Sequence, residues 1–256
     1  MIYQQETFID CKHQSPLFSE IEIQELFKKK ECSLVFKIYL PEHMGSLFTF
    51  EATLDLRELD RANRYFHLKD RSRFIICRSW IKIVLATALG VGLNEIQLDY
   101  DANKKPILKF NSDVFFNVSH SGDYAILGLS KIPIGVDIEQ IKHDFPIKEL
   151  IAQVFSQAEA KSILEAENQS LNFFKLWTRK EALVKASGKG IDENIKRIPC
   201  LDGSHTSTLE SLLKIAKWQV FNFKITEDYV GAVALAVGEK CVSSQFYQCE
   251  LPRCTS

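Results

Sequence analysis

Two short segments, about forty residues apart, carry the side chains that do phosphate chemistry. The first is Ile134-Gly135-Val136-Asp137-Ile138-Glu139. The second is Trp177-Thr178-Arg179-Lys180-Glu181-Ala182-Leu183-Val184-Lys185. Asp137 and Glu139 alternate with β-branched residues, so both project from one face of a strand. Ile134, Val136 and Ile138 face the other way and are expected to bury against a helix. Two like charges at that spacing repel unless water screens them or a cation sits between them. Glu181 and Lys185 are four apart in a helical run and share one helix face. Three carboxylates with lysines nearby suit a hard cation holding a pyrophosphate, which points to an enzyme acting on a phosphorylated cofactor. The plainer readings are a solvated strand face and an exposed ion pair worth about 0.3–0.5 kcal/mol. Phe173, Phe174 and Trp177 weigh against the second, because a carboxylate beside Trp177 loses solvation and needs a partner such as a metal ion.

Two further stretches suit anions. From Arg57 to Lys82 there are eight Arg/Lys against three Asp/Glu. Arg71, Arg78 and Lys82 fall on one helix face and read as solvated. Arg73 shares the face of Cys77, Trp80 and Val84, and a guanidinium on an apolar face needs an anion, either an internal carboxylate or a ligand phosphate. Arg61 and Arg64, on the preceding helix, are placed to join it. In Asn117-Val118-Ser119-His120-Ser121-Gly122 a strand ends in small hydroxyl residues, a histidine and a glycine. Exposed N–H groups with Ser and His donors there suit a phosphate, although a plain hairpin turn would have the same composition. Lys105 lies on another hairpin loop, where most lysines are surface charges.

The elements that must position these residues can be read from pattern and punctuation. A short helix is expected within Phe18 to Lys30, and strands at Leu34 to Leu40 and Leu47 to Leu54, turning through Pro41 and Gly45. Helices follow at Leu56 to His67 and Asp70 to Leu89, the latter capped by Asp70 and stopped by Gly90 and Gly92. Ile96 to Tyr100 and Ile107 to Phe110 flank a hairpin loop. Strands at Phe115 to Ser119, Tyr124 to Leu129 and Ile134 to Glu139 have connections short enough to favour antiparallel neighbours. Helices at Ile147 to Glu167 and Leu171 to Ala186 come next, the second ended by Gly188 and Gly190. A hairpin of Trp218 to Ile225 and Tyr229 to Val237 closes the chain. Each half thus reads as strands, two helices, then strands. The fold expected is α+β, a pair of similar subdomains divided into residues 1–131 and 132–256.

Bulk properties bound the class. A net charge of -1 gives no reason to expect nucleic acid as a partner. Seven irregularly spaced cysteines without a Cys-x-x-Cys pair suggest neither a zinc ribbon nor a disulfide framework, and fit a reducing cytosol. The start of the chain lacks the basic and apolar regions of a signal peptide. The longest apolar stretch, Ile81 to Leu93, contains Lys82 and is too short for a bilayer. A soluble cytoplasmic protein is expected.

Taken together and in this order, the segments resemble the 4'-phosphopantetheinyl transferases, in particular the larger type that activates peptide and polyketide synthetases. The Gly135-Val136-Asp137-Ile138-Glu139 strand, the helix from Trp177 to Lys185 and Gly188-Lys189-Gly190 look like the family's pattern. So do Phe116-Asn117-Val118-Ser119-His120-Ser121 and Lys105-Pro106, with Lys104 where glycine is usual. The resemblance spans about residues 57–191. It implies a pseudo-twofold fold with the active site between the halves, coenzyme A as the donor, and Mg²⁺ held by Asp137, Glu139 and Glu181. It implies catalytic roles for Glu181, Lys185 and Asp137. It also implies cofactor-binding roles for Arg61, Arg64, Arg73, Lys105, Ser119, His120, Lys180 and Lys185. The acceptor would be an apo acyl or peptidyl carrier protein. With both halves in one chain, a monomer is expected. The other readings are a coenzyme A-binding protein without transfer and an unrelated Mg²⁺-dependent phosphohydrolase, which no P-loop supports.

Overall fold

Asp55 starts a helix by reciprocal capping: its carboxylate accepts the Glu58 amide, and the Glu58 carboxylate accepts the Asp55 amide. Ser156 and Glu159 do the same a hundred residues later. That second cap divides the expected Ile147 to Glu167 helix in two, since a capping residue needs extended backbone and cannot sit inside a helix. A computed structural model describes residues 5–11, 20–28, 32–110, 113–188, 193–207, 217–236 and 245–250.

In chain order the first half holds β1 (Gln5–Cys11), α1 (Glu20–Lys28), β2 (Cys32–Tyr39), α2 (Leu47–Glu51), α3 (Leu56–Asn63) and α4 (Leu68–Leu89). Then come β3 (Leu98–Tyr100), β4 (Pro106–Leu108), β5 (Phe115–Ser121) and β6 (Tyr124–Ser130). The second half holds β7 (Ile134–Gln140), α5 (Ile147–Val154), α6 (Gln157–Leu164), α7 (Gln169–Ser187), β8 (Gly203–Ser207), β9 (Lys217–Thr226), β10 (Tyr229–Ala236) and β11 (Gln245–Glu250).

The expected strand at Leu47 to Leu54 is instead the short helix α2 and a turn. Phe50 and Leu54, four apart, are buried while Phe48 is 86% exposed, a helical rather than an alternating pattern. Asp70 does not cap α4; it lies in the first turn, and His67 holds the cap position. Both long helices stop at a left-handed glycine, Gly90 after α4 and Gly188 after α7. Gly190 and Val237 lie outside the described residues.

Two sheets form the centre. One has the order β11-β2-β6-β5 and the other β7-β10-β9-β1-β8. Within each, three strands repeat the same antiparallel order: β2-β6-β5 in the first and β7-β10-β9 in the second. In each half a long helix lies between the first strand of that trio and its hairpin. This repeat is the pair of similar halves expected from the sequence, and the class is α+β. The terminal strands cross over: β1 runs parallel to β9 in the second sheet, and β11 runs parallel to β2 in the first. The short link from β6 to β7 was expected to join antiparallel neighbours; it joins strands of different sheets instead.

The sheets stack face to face with helices outside. Leu34, Phe36 and Ile38 of β2 pack towards α4, while Val35 between them packs with Ile134, Val136 and Val233 of the second sheet. On the far side, Ala232 and Ala234 of β10 pack with Phe173, Leu183 and Val184 of α7. Among the described residues no helix is long and apolar enough to cross a membrane.

Candidate active site

Strand β7 lies flush against α7, and Gly135 permits it. A Cβ on Gly135 would lie 2.0 Å from the Ala182 carbonyl oxygen and 2.3 Å from the Ala186 nitrogen. The Asp137/Glu139 face of β7 is therefore the one laid against the helix. The apolar Ile134/Val136/Ile138 face, expected to meet a helix, packs on the other sheet, where Ile134 and Val136 fill the space over Gly128.

Flush packing brings the second segment onto the first. The Lys185 ammonium donates to Asp137 Oδ1 at 2.6 Å and to Ser119 Oγ at 2.9 Å, and Ser119 donates to the same Asp137 oxygen at 2.8 Å. Lys185 thus pairs with Asp137 inside the second half, and Ser119 reaches both from the first. Glu181 is 7% exposed, and its Oε1, like Asp137 Oδ2, is buried without a hydrogen-bond partner. Glu139 accepts from Ser121 Oγ at 2.8 Å, with Trp177 as a further donor.

Burial and mutual repulsion set the acidities. Burial raises Asp137, opposed by Lys185 and Ser119. Glu139 is raised by burial and then by Asp137. Glu181 is pushed up to about 7, first by burial and then by Asp137, with Glu139 adding to it. The three carboxylates are therefore neighbours in one electrostatic unit. Among the described residues, however, no three His, Cys, Asp or Glu side chains converge closely enough to hold a metal by themselves. The expected trio is not a finished cage; Lys185 takes one Asp137 oxygen, and two other carboxylate oxygens are left unpaired.

The loop between β3 and β4 reaches α7 from the first half. Lys105 Nζ donates to the Lys185 carbonyl at 2.8 Å, and Asn103 Nδ2 donates to the Gly188 carbonyl at 2.6 Å. Asp101 organises the loop by accepting the Asn103 and Lys105 amides at 2.9 Å each. Burial lowers Lys105 to about 8. Lys104, at the position where glycine is usual in the pattern, has φ 63, a left-handed backbone that a lysine adopts only under strain.

Arg73 pairs with Asp70 at 2.6 Å, so an internal carboxylate already meets its charge in part. His120 points away from Ser119 and Ser121, is exposed, and has its pKa lowered by the surrounding protein and by the charge of Arg73. Arg73, Lys105 and Lys185 thus form the cationic end of the site, with the His120 imidazole beside them. Arg61 takes other contacts: it donates to Tyr100 Oη at 2.7 Å and lies over the Phe74 ring. With Arg64 it lines a cavity of about 1120 Å³ between α3, α4 and β3. Arg78 and Lys82, read as solvated, are 5% and 7% exposed; both pair with the buried Glu58, which the helix pattern alone could not place.

Lys180 sits apart from the site. Fully buried, it pairs with Glu159 at 3.0 Å and donates to the Ile195 and Ile198 carbonyls. One residue along a helix is a rotation of about 100°, so neighbours in the motif face different surroundings. Glu159 is a side chain that the sequence reading left without a role, and Ser121, read there as a phosphate donor, holds Glu139 instead. A small apolar pocket of about 210 Å³, walled by Phe145, Leu150, Phe173, Phe174 and Trp177, opens beside Glu139.

Comparison with known proteins decides the family. Residues 133–234 match the family profile described as "4'-phosphopantetheinyl transferase superfamily", and residues 43–131 match "4'-phosphopantetheinyl transferase, N-terminal". The 4'-phosphopantetheinyl transferase HetI of Nostoc sp. is 31% identical over 210 residues, 79% of this chain and 86% of that protein. The chain belongs to the 4'-phosphopantetheinyl transferase superfamily. The transferase is also 28% identical to Sfp of Bacillus subtilis, over 56% of its own length and 63% of that protein. With the human L-aminoadipate-semialdehyde dehydrogenase-phosphopantetheinyl transferase it shares 29% identity over 55% of its length and half of the human chain. The two matched segments meet at the link between β6 and β7, which makes the transferase one of the larger, two-half type.

Proposed function

We infer that this transferase moves the 4'-phosphopantetheine group of coenzyme A onto a serine of an apo acyl or peptidyl carrier protein, with Mg²⁺ as cofactor and adenosine 3',5'-bisphosphate as the second product. The observation that carries the reading is Lys185 bound to Asp137 and Ser119 beside the unpartnered, desolvated Glu181. Arg73, His120, Lys105 and Lys185 would hold the adenosine phosphates. Arg61 and Arg64 extend the same positive field from the neighbouring cavity. The apolar pocket beside Glu139 suits the pantetheine arm, which leaves the pyrophosphate between that pocket and the adenosine end.

In the reaction the carrier serine oxygen forms a bond to the β-phosphorus of coenzyme A. The bond from that phosphorus to the bridging oxygen breaks, and its electron pair leaves on the adenosine bisphosphate. Glu181 is the acceptor for the serine proton: a base with a pKa of about 7 works near neutrality. Lys185 meets the charge that develops on the leaving phosphate. Unpaired carboxylate oxygens on Asp137 and Glu181 are hard donors that fit Mg²⁺, and Asp137, Glu139 and Glu181 would hold it. When bound, the cation neutralises pyrophosphate charge. A monomer in the cytoplasm is the form proposed, because one chain supplies both walls of the site.

The test is to incubate the protein with coenzyme A, Mg²⁺ and an apo carrier protein and then weigh the carrier. A gain of one phosphopantetheine is the expected result. Free phosphate without a gain would mean a hydrolase, and no change would leave a binding protein; either outcome refutes the reading.

A further inference from the structure

Among the described residues strand β7 ends its sheet, hydrogen-bonded to β10 on one side only. Its other edge faces β5 of the first sheet, yet the two strands form no backbone ladder. Amides two residues apart on a strand point to the same edge, so Val136, Ile138 and Gln140 present a row of N–H groups there. A buried edge with unmet donors is costly. Side chains meet these donors instead. Val136 N–H donates to Asn117 Oδ1 at 2.8 Å, Gln140 N–H donates to Ser121 Oγ at 3.1 Å, and Ile138 N–H is met by the Asp137 carboxylate.

Asn117, Ser119 and Ser121 occupy alternate positions of β5, so all three point at β7. Each contact does two things. By accepting the Gln140 amide, Ser121 Oγ must turn its proton outward, and it donates that proton to Glu139 Oε2 at 2.8 Å. Ser119 binds the Asp137 carboxylate in the same register. Asn117 anchors the strand one residue before Asp137.

We propose that Asn117 and Ser121 are positioning residues: they stand in for a missing partner strand along β7 and thereby fix the direction in which Asp137 and Glu139 present their carboxylates to the cleft. This rests on the transferase reading. Ser121 acts on the reaction through Glu139 and touches no reacting atom.

The test compares Ser121→Ala and Ser121→Thr with the full-length wild type. Mn²⁺ binding in the presence of coenzyme A is read by electron paramagnetic resonance, metal-free binding of adenosine 3',5'-bisphosphate by calorimetry, and amide exchange at Gln140 by NMR. Ser121→Ala is expected to weaken Mn²⁺ by about 10-fold or more and to speed Gln140 exchange, with nucleotide affinity unchanged. Ser121→Thr keeps the hydroxyl and is expected to restore both. Wild-type Mn²⁺ affinity in Ser121→Ala overturns the proposal. So does an equal loss in metal and nucleotide affinity, because that would be general loosening of the fold. If the wild type itself neither binds Mn²⁺ with coenzyme A nor transfers, the transferase reading fails, while Gln140 exchange still decides whether Ser121 holds the strand.

Discussion

Replacing Gly135 with alanine should separate the two segments on which the chemistry depends. The new Cβ would stand 2.0 Å from the Ala182 carbonyl oxygen, where ordinary contact begins at 3.4 Å, so α7 must retreat by about 1.4 Å. The obstacle is helix backbone and cannot rotate away as a side chain would. Glu181 and Lys185 ride on this stretch of α7, each one residue before Ala182 and Ala186 respectively. A displacement of about 1 Å in a catalytic group costs on the order of 100-fold in rate, and an added methyl in a tight core costs about 1–3 kcal/mol. Phosphopantetheine transfer should thus fall by about 100-fold or more while the chain still folds, with the loss carried by kcat rather than by the coenzyme A KM. Calorimetric melting and a carrier-loading assay on the same preparation measure both effects. Near-wild-type turnover in Gly135→Ala would refute the argument that this contact sets the site.

Three further outcomes are expected. Glu181 binds its proton more tightly folded, at about 7 against 4.5, so its contribution of about 3 kcal/mol is full below pH 4.5 and is lost as pH rises through 7; in metal-free protein, urea midpoints should fall from pH 5 to 8 more steeply in wild type than in Glu181→Gln, and equal slopes would count against it. Lys104→Gly should relieve the left-handed backbone at φ 63 and raise the melting temperature by about 2 °C; a decrease would show that the strain is not there. Lys180→Met leaves Glu159 as an unpaired buried charge and should cost about 3–5 kcal/mol with coenzyme A affinity kept; unchanged stability with weakened coenzyme A binding would return Lys180 to the cofactor site.

Local periodicity made the chemistry-bearing elements legible. Asp137 and Glu139 share a strand face, and Glu181 and Lys185 share a helix face, because those periods are properties of the backbone itself. Which neighbour each face meets was not legible. The apolar face of β7 met a sheet rather than a helix, because Gly135 admits α7 on the polar side and only tertiary packing reveals that. Lys180 and Glu181 are adjacent in sequence yet end in different environments, one paired with Glu159 and one facing the site. Arg78 and Lys82 were read as solvated because Glu58, their partner, lies on another helix. The terminal strands β1 and β11 were missed, since each pairs with the distant half of the chain and neither is part of a local hairpin. Ser119 and Ser121 were read as phosphate donors from their exposed-looking turn. The structure gives both hydroxyls to carboxylates across the halves, while His120 between them faces the cationic end.

The central claim is that Glu181, desolvated beside Asp137 and Lys185, takes the proton of the attacking serine. Its most direct test is single-turnover transfer by Glu181→Gln, with coenzyme A affinity measured on the same sample. The account predicts coenzyme A binding close to wild type and carrier loading slower by several orders of magnitude. Loading at near wild-type speed would contradict it.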